Sequence, residues 1–170
     1  MNDPKMAPPQ GVTLEDPEAF GSHLTANGRL IGIDAGTKTL GLALSDVTRT
    51  IASGFETIQR RKFSLDVARL FELTAMHQVT GLVLGLPRNL DGMEGPRAQA
   101  TRALARNLNK LSPLPILLWD ERLTTALAER MLIDADQSRK RRAEVIDKLA
   151  ATLILQSALN RLRQFAATRP

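Results

Sequence analysis

Short apolar runs and helical periodicities alternate along this chain, and polar residues, glycine and proline separate them. Five runs have the length and composition of strands, over residues 30–36, 40–46, 51–58, 81–86 and 115–120. Only short turns separate the first three runs, so we expect an antiparallel hairpin that continues into a third strand. The continuous apolar run GLVLGL at 81–86 is typical of a central parallel strand.

Four segments are predicted to be helical, over about residues 64–78, 97–110, 124–135 and 142–165. Three meandering strands followed by alternating helices and strands predict an α/β fold with a five-stranded mixed sheet flanked by helices. This is the layout of the RNase H-like fold. The actin and sugar-kinase superfamily uses the same layout, so the fold does not by itself determine the chemistry.

Residues 1–28 differ from the rest of the chain, because they are rich in proline and polar residues and show no hydrophobic periodicity. They predict a disordered N-terminal extension, followed by a single RNase H-like domain over residues 29–170. The net charge of the chain also changes sign after residue 28. The extension carries a net charge of −3 and the remainder carries +8, for a total of +5.

A domain this basic favours an anionic partner, and nucleic acid is the first candidate. Aromatic residues make up only 4% of the chain, with one Trp and no Tyr. We therefore expect contacts to backbone phosphates rather than stacking on single-stranded bases.

Several kinds of protein and site are excluded by composition. The absence of cysteine excludes disulfides, thiolate zinc sites and a cysteine nucleophile. Catalysis by imidazole is not expected, since His23 lies in the extension and His77 near a predicted helix end. No apolar run approaches the roughly 18–20 residues that cross a bilayer, and the N-terminus lacks the apolar core of a signal peptide. We expect a cytoplasmic protein without a membrane partner.

Asp34 is the first candidate for chemistry. In the motif GIDAG it lies on the same side of its predicted strand as Gly32. A carboxylate within an apolar strand is costly unless something compensates its charge. Gly32, Gly36 and Gly41 lack side chains and would leave room for a phosphate or a hydrated metal ion beside Asp34. The alternative is an aspartate that only starts a turn.

Asp120 and Glu121 form the second candidate, directly after the strand PILLWD. Carboxylates at the C-terminal end of a parallel strand lie where open α/β sheets bind ligands. The alternative is a salt bridge between Glu121 and Arg122, with Thr124 and Thr125 only capping the next helix.

Asp147 is the third candidate, in the segment VIDKLAATLILQ. Helical spacing puts it on one face with small and apolar residues, namely Ala150, Ala151, Ile154 and Ala158. We expect this face to lie close against the sheet. An acid at the end of such a face needs a partner. The alternative partner is Arg142 or Lys148 in a salt bridge.

Acids on three separate elements predict a magnesium or manganese site, with Asp34, the pair Asp120 and Glu121, and Asp147 as the candidate catalytic ligands. Oxygen ligands select hard cations such as Mg²⁺ and Mn²⁺. Two such ions about 3.5–4 Å apart can activate a water and stabilise the leaving oxygen of a phosphodiester. With neither histidine well placed, a metal-activated water is the expected nucleophile.

Basic residues near these acids are candidates for binding phosphates of nucleic acid. They are Lys38, Arg88, Arg97, Arg122, Arg139, Lys140, Arg141 and Arg142. For the run RKRR at 139–142, a solvated stretch of charge is the ordinary alternative, but its proximity to Asp147 favours a functional interpretation.

Four motifs resemble the conserved blocks of the YqgF family: GIDAGTKTLGLALSD, VLGLPRNLDGMEG, DERLTT and VIDKLAATLILQSAL. The similarity covers about residues 29–163. That family is described as Holliday junction resolvases related to RuvC, and as nucleases that mature the 5′ end of pre-16S ribosomal RNA. The resemblance implies that Asp34 is the first acid and Asp147 the last. It places the DER block on residues 120–122, where we favour Glu121 as the ligand.

The chain departs from the related pattern at two points. RuvC-like nucleases carry an acid at the end of the fourth strand, whereas here that strand ends in Leu84, Gly85 and Leu86. The DER pair would have to substitute for it. The first block of the family often has arginine where this chain has Lys38, and lysine cannot make a bidentate phosphate contact.

The expected function is that of a metal-dependent endonuclease on structured nucleic acid, with 5′-end processing of pre-16S rRNA as the favoured reaction. Resolution of branched DNA and a non-catalytic role in ribosome assembly are the alternatives. IDAGT also resembles the first phosphate loop of sugar kinases, but an ATP-dependent phosphotransferase of that fold needs two such domains. A monomer and a homodimer both agree with the sequence.

Overall fold

The computed structural model describes residues 10–122 and 139–168, with side chains described except for residues 139–147. Six strands form one sheet: β1 (Thr13–Leu14), β2 (Arg29–Ala35), β3 (Thr39–Ser45), β4 (Ala52–Gln59), β5 (Val79–Leu86) and β6 (Ile116–Asp120). The helices in these residues are α1 (Pro17–Ser22), α2 (Phe63–Met76), α3 (Pro96–Leu111) and α4 (Arg139–Thr168). The predicted helix over 124–135 lies outside the described residues.

The sheet has the strand order β1-β6-β5-β2-β3-β4. β2, β3 and β4 are antiparallel neighbours, whereas β5 pairs parallel with both β2 and β6. The mixed sheet and the RNase H-like fold expected from the sequence are confirmed. The sheet has six strands instead of the predicted five, because β1 pairs parallel with β6 at its outer edge.

Two apolar layers cover the sheet. On one face, residues such as Ile33, Leu84 and Leu118 pack beneath α2 and α3. On the other face, residues such as Val83 and Leu117 pack beneath α4. Because β2 and β5 are covered on both sides, they have the continuous apolar sequences of central strands. Among the described residues, no helix is both long and apolar enough to cross a membrane.

α4 lies close against the sheet, as its face of small residues predicts. A Cβ added at Gly32 would lie 2.7 Å from the Leu155 Cβ and 2.9 Å from the Ala151 carbonyl oxygen. Any side chain at position 32 would therefore push the helix away. Ala150, Ala151, Ile154 and Ala158 are all buried at this contact.

The N-terminal segment corrects the expectation of disorder over residues 1–28. Residues 13–22 form β1 and α1, and the Asp16 carboxylate caps α1 by accepting a hydrogen bond from the Ala19 N–H at 3.0 Å. Phe20 is fully buried in the layer beneath α4. A single aromatic anchor in a polar segment produces no periodicity, which is why the sequence pattern did not reveal it. Residues 1–9 lie outside the described residues.

Truncation of this anchor should destabilise the whole fold. We expect Phe20→Ala to lower the free energy of unfolding by about 3 kcal/mol, because it removes a fully buried aromatic side chain. Leu90→Ala is the control, since Leu90 is 89% exposed and its loss should have little effect. Urea unfolding of both variants measures the difference, and equal stabilities would show that the segment is not anchored.

Candidate active site

The C-terminal ends of β2, β5 and β6 meet at one edge of the sheet, and two of the predicted acids lie there. Asp34 is the penultimate residue of β2, and Glu121 directly follows β6. Ile33 is aligned with Leu84 on β5, so Asp34 is level with Gly85. Alternation along β2 puts Asp34 on the same face as Gly32, the face that α4 covers.

The Glu121 side chain lies over Gly85. The Glu121 N–H donates to the Leu86 carbonyl oxygen at 3.3 Å, which keeps the chain beside β5 after β6 has ended. A Cβ added at Gly85 would lie 2.5 Å from the Glu121 Oε2 and 2.5 Å from the Ile154 Cδ1. The carboxylate therefore occupies space that any side chain at position 85 would take. The end of β5 carries no acid of its own, but Glu121, which follows the neighbouring strand β6, lies beside it.

The electrostatics place Glu121 near Asp34. Burial, followed by the negative charge of Asp34, raises the pKa of Glu121 to about 7. Arg97 acts in the opposite direction, and Asp120 adds a smaller upward effect. Glu121 is only 7% exposed, so burial is the dominant cause. The two carboxylates thus lie near each other in a poorly hydrated position.

Asp120, the adjacent residue, has a different environment. Its carboxylate accepts hydrogen bonds from the Arg122 guanidinium, including one of 2.9 Å from Nε, and an Arg88 nitrogen lies 3.9 Å away. Partial burial opposes ionisation of Asp120, but the hydrogen bonds and charge of Arg122 outweigh it and lower the pKa. Arg122, the alternative partner considered for Glu121, thus makes its ion pair with Asp120.

Position 147 lies at the same end of the sheet. The Gln156 side chain accepts a hydrogen bond from the Ala52 N–H at the start of β4, whereas Lys148 contacts Gly54 further along that strand. Since β4 and β2 run in the same direction, α4 begins at the Asp34 end of the sheet and runs away from it. Position 147 precedes Ala151 by one helical turn.

The remaining predictions for this helix concern side chains that the structure does not describe. α4 begins at Arg139 and includes the predicted residues Arg139, Lys140, Arg141, Arg142 and Asp147. The basic run therefore forms the first turn of the helix. Thr124 and Thr125 lie outside the described residues altogether. Within residues 10–122 and 148–168, no three His, Asp or Glu side chains lie close enough together to hold a metal ion.

Basic side chains surround the loop between β2 and β3. Arg97, at the start of α3, donates to the Ala35 carbonyl oxygen at 3.4 Å. Arg60 donates to the Gly36 carbonyl oxygen at 2.7 Å, and Lys38 is exposed in the same loop. Sequence analysis missed Arg60. Its signal was the basic run at 60–62 directly after β4, which pairing of Thr39 with Gln59 brings to this loop.

Comparisons with known proteins find a family and relatives that this chain resembles. A family model described as RuvX, Holliday junction resolvase, matches residues 28–161. A relative from Rhodobacter capsulatus is 59% identical over 143 residues, covering 84% of this chain and 90% of its own. One from Bradyrhizobium sp. is 62% identical over 141 residues, covering 83% and 88%. Both carry the name pre-16S rRNA nuclease.

The comparison of structures supports the same fold. RuvC from T. thermophilus, solved in complex with a Holliday junction substrate, matches 83% of this chain and 97% of its own. The TM-score is 0.50 and the sequence identity is 14%. At this identity, the match bears on the fold alone.

The raised pKa of Glu121 predicts a pH-dependent stability of the metal-free protein. In the unfolded chain this carboxyl ionises near its ordinary pKa of 4.5, whereas in the folded protein it ionises near 7. Its contribution to stability is thus present below about pH 4.5 and is lost as the pH rises through 7. The loss amounts to about 3 kcal/mol by pH 8.

We therefore expect Glu121→Gln, which cannot ionise, to gain stability relative to the wild type between pH 5 and pH 8. Urea unfolding at both pH values in EDTA measures the change. Glu18→Gln, at an exposed position on α1, is the matched control and should show no such change. The same difference from the wild type at both pH values would show that Glu121 is not held in a raised-pKa environment.

Proposed function

The chain belongs to the RuvX family of Holliday junction resolvases, which its motifs indicated under the name YqgF, and from this membership we propose that it is a divalent-metal-dependent endonuclease. Its substrate is structured nucleic acid, and its favoured reaction is 5′-end processing of pre-16S rRNA. The nuclease activity follows from the family and from relatives named as nucleases at 59–62% identity. The ligands, the metal and the RNA substrate are our proposals.

One observation carries the proposed chemistry, namely the Glu121 carboxylate folded over Gly85 towards Asp34. Two carboxylates at a poorly hydrated site repel each other. A cation bound between them would replace this repulsion by attraction of both carboxylates to its positive charge. Carboxylate oxygens are also the ligands that Mg²⁺ and Mn²⁺ prefer. The residues present therefore fit a divalent ion.

We assign Asp34, Glu121 and Asp147 as the ligands. Position 147 supports this assignment because it precedes Ala151 by one helical turn, and the Ala151 carbonyl oxygen lies against Gly32, two residues before Asp34. When bound, divalent ions polarise the phosphodiester and activate a water for attack. Asp120 remains outside this ligand set, since Arg122 holds it.

The basic residues around the loop between β2 and β3 would hold the substrate. Arg97 is close enough to Glu121 to affect its pKa and also reaches the Ala35 carbonyl oxygen. A phosphate placed between the acids and this loop would meet Arg97, Arg60 and Lys38. Their charges would orient the phosphodiester and offset the negative charge that develops on it. The basic first turn of α4 would extend this surface.

Branched DNA is the second candidate substrate, because the family description names Holliday junctions. Relatives that are 59% and 62% identical to this chain are named for pre-16S rRNA, which favours RNA. Incubation with a pre-16S rRNA fragment and with a synthetic four-way junction, each with Mg²⁺ or Mn²⁺, distinguishes the two. Binding without cleavage of either substrate under all these conditions would instead support a non-catalytic assembly factor.

Loss of a ligand should abolish cleavage while binding is retained. We expect Asp34→Asn to lower the cleavage rate of the preferred substrate at least about 100-fold, because it removes a metal ligand. Affinity for the same substrate in EDTA should change little, since phosphate contacts supply most of it. Asp120→Asn makes the same chemical change at a residue held by Arg122 and should lose less activity. Full activity of Asp34→Asn would remove Asp34 from the mechanism.

Gly85→Ala tests the placement of Glu121 without changing any polar group. The new Cβ would displace the ends of two flexible side chains, Glu121 and Ile154, so the fold should tolerate it at a cost of about 1 kcal/mol. Displacement of a catalytic carboxylate by about 1 Å can lower the rate about 100-fold. We expect a folded protein with cleavage reduced to that extent.

The matched control for this variant is Gly54→Ala on β4, where the nearest atom to an added Cβ is the Lys148 Cβ at 3.5 Å. It should be as active as the wild type. Cleavage rates and circular dichroism of both variants give the comparison. Normal activity of Gly85→Ala would mean that the position of the Glu121 carboxylate does not matter for the reaction.

A further inference from the structure

One carboxylate oxygen of Glu15 contacts two arginines. Glu15 lies between β1 and α1, and its Oε1 accepts a hydrogen bond from the Arg88 Nη2 at 3.0 Å and from the Arg102 Nη2 at 2.8 Å. Arg88 follows β5 and Arg102 lies on α3, so three distant parts of the chain meet here. Two guanidinium groups that both donate to one anionic oxygen form an arrangement well suited to binding a phosphate.

A cleft of about 250 Å³ lies beside this pair, at the outer edge of β6. Glu15, Arg88, Trp119 and Asp120 are among the residues that line it. β1 pairs with β6 only as far as Leu117, so the last three residues of β6 have no strand on this side within the described chain. Asp120, which lines the cleft, directly precedes Glu121 in the chain, so the cleft adjoins the candidate active site.

The ion pairs of Glu15 are weak enough to be replaced. The Glu15 side chain is 52% exposed, and exposed ion pairs contribute little to stability. Arg102 is held in place independently by Glu94, with hydrogen bonds to both carboxylate oxygens. Arg102 would therefore stay in position if Glu15 left, and Arg88 would keep the Asp120 carboxylate 3.9 Å away.

We propose that Arg88 and Arg102 form a second phosphate-binding site for the nucleic-acid strand, and that Glu15 occupies it in the free protein. The N-terminal segment thereby competes with nucleic acid for the two arginines. The inference rests on the proposed function, because the ligand is the substrate of that reaction. It adds Arg102 to the binding surface and gives the acidic N-terminal segment a role.

The test is equilibrium binding of a fluorescein-labelled RNA hairpin with a single-stranded 5′ extension, measured by anisotropy in EDTA with the full chain. Removal of the competing charge in Glu15→Gln should tighten binding about three- to fivefold, as expected for loss of an exposed ion pair. Glu18→Gln is the matched control. It makes the same charge change three residues away, at an exposed position that contacts neither arginine, and should leave the affinity nearly unchanged.

A second pair of variants, Arg102→Gln and its control Arg106→Gln, tests the contribution of the arginines. Arg102→Gln should weaken binding and lower the slope of log affinity against log salt by about one, because one phosphate contact is lost. Arg106→Gln, at an exposed position one turn further along α3, should have a smaller effect on both. In the Arg102→Gln background, Glu15→Gln should no longer tighten binding to the same extent.

Trp119 gives a second readout, since it is the only tryptophan and it lines the cleft. Its fluorescence should change when RNA binds, and in Glu15→Gln the change should occur at lower RNA concentration. A structural role of Glu15 would instead lower the thermal midpoint without altering affinity. That result, or equal affinities of Glu15→Gln and Glu18→Gln, would overturn the inference.

The test separates this inference from the proposed function. A wild-type protein that binds and cleaves RNA while Glu15→Gln behaves like Glu18→Gln would overturn only the second phosphate site. A wild-type protein that binds no nucleic acid would overturn both.

Discussion

The missing side chain at Gly85 is the constraint on which the candidate site depends. The carboxylate of Glu121 lies in the space that a side chain at this position would fill, and Ile154 of α4 reaches into the same space. The close approach of α4 at Gly32 keeps that helix near enough to do so. The two glycines thus allow β2, β5 and α4 to pack closely, and the position of the Glu121 carboxylate follows from this packing.

Two adjacent acids acquire opposite properties from this arrangement. Burial and the charge of Asp34 raise the pKa of Glu121, whereas Arg122 holds that of Asp120 low. The difference arises because β6 ends between them. Asp120 remains at the exposed edge with its arginine, and Glu121 turns inward across β5. Two consecutive residues therefore have different roles: Glu121 is a candidate metal ligand, and Asp120 belongs to a surface ion pair.

The sequence predicted the central sheet well because apolar runs record burial directly, and the small-residue face of α4 recorded its contact with β2. It also favoured Glu121 over Asp120 as the metal ligand, which stays a prediction. Contacts between distant polar residues could not be predicted in this way. Glu15 meets Arg88 and Arg102 across 73 and 87 residues, and no local pattern records such pairs. The N-terminal segment was missed for a related reason, since one buried phenylalanine supplies its anchor.

The pairing of β1 with β6 has a consequence for the order in which the chain is completed during synthesis. β1 leaves the ribosome about a hundred residues before Ile116 and Leu117, its neighbours in the sheet. Phe20 must wait longer still, because its layer includes Ala158 and Leu159 near the end of α4. β1 can therefore join the sheet only after β6 has been translated, and Phe20 becomes buried only after α4 has been made.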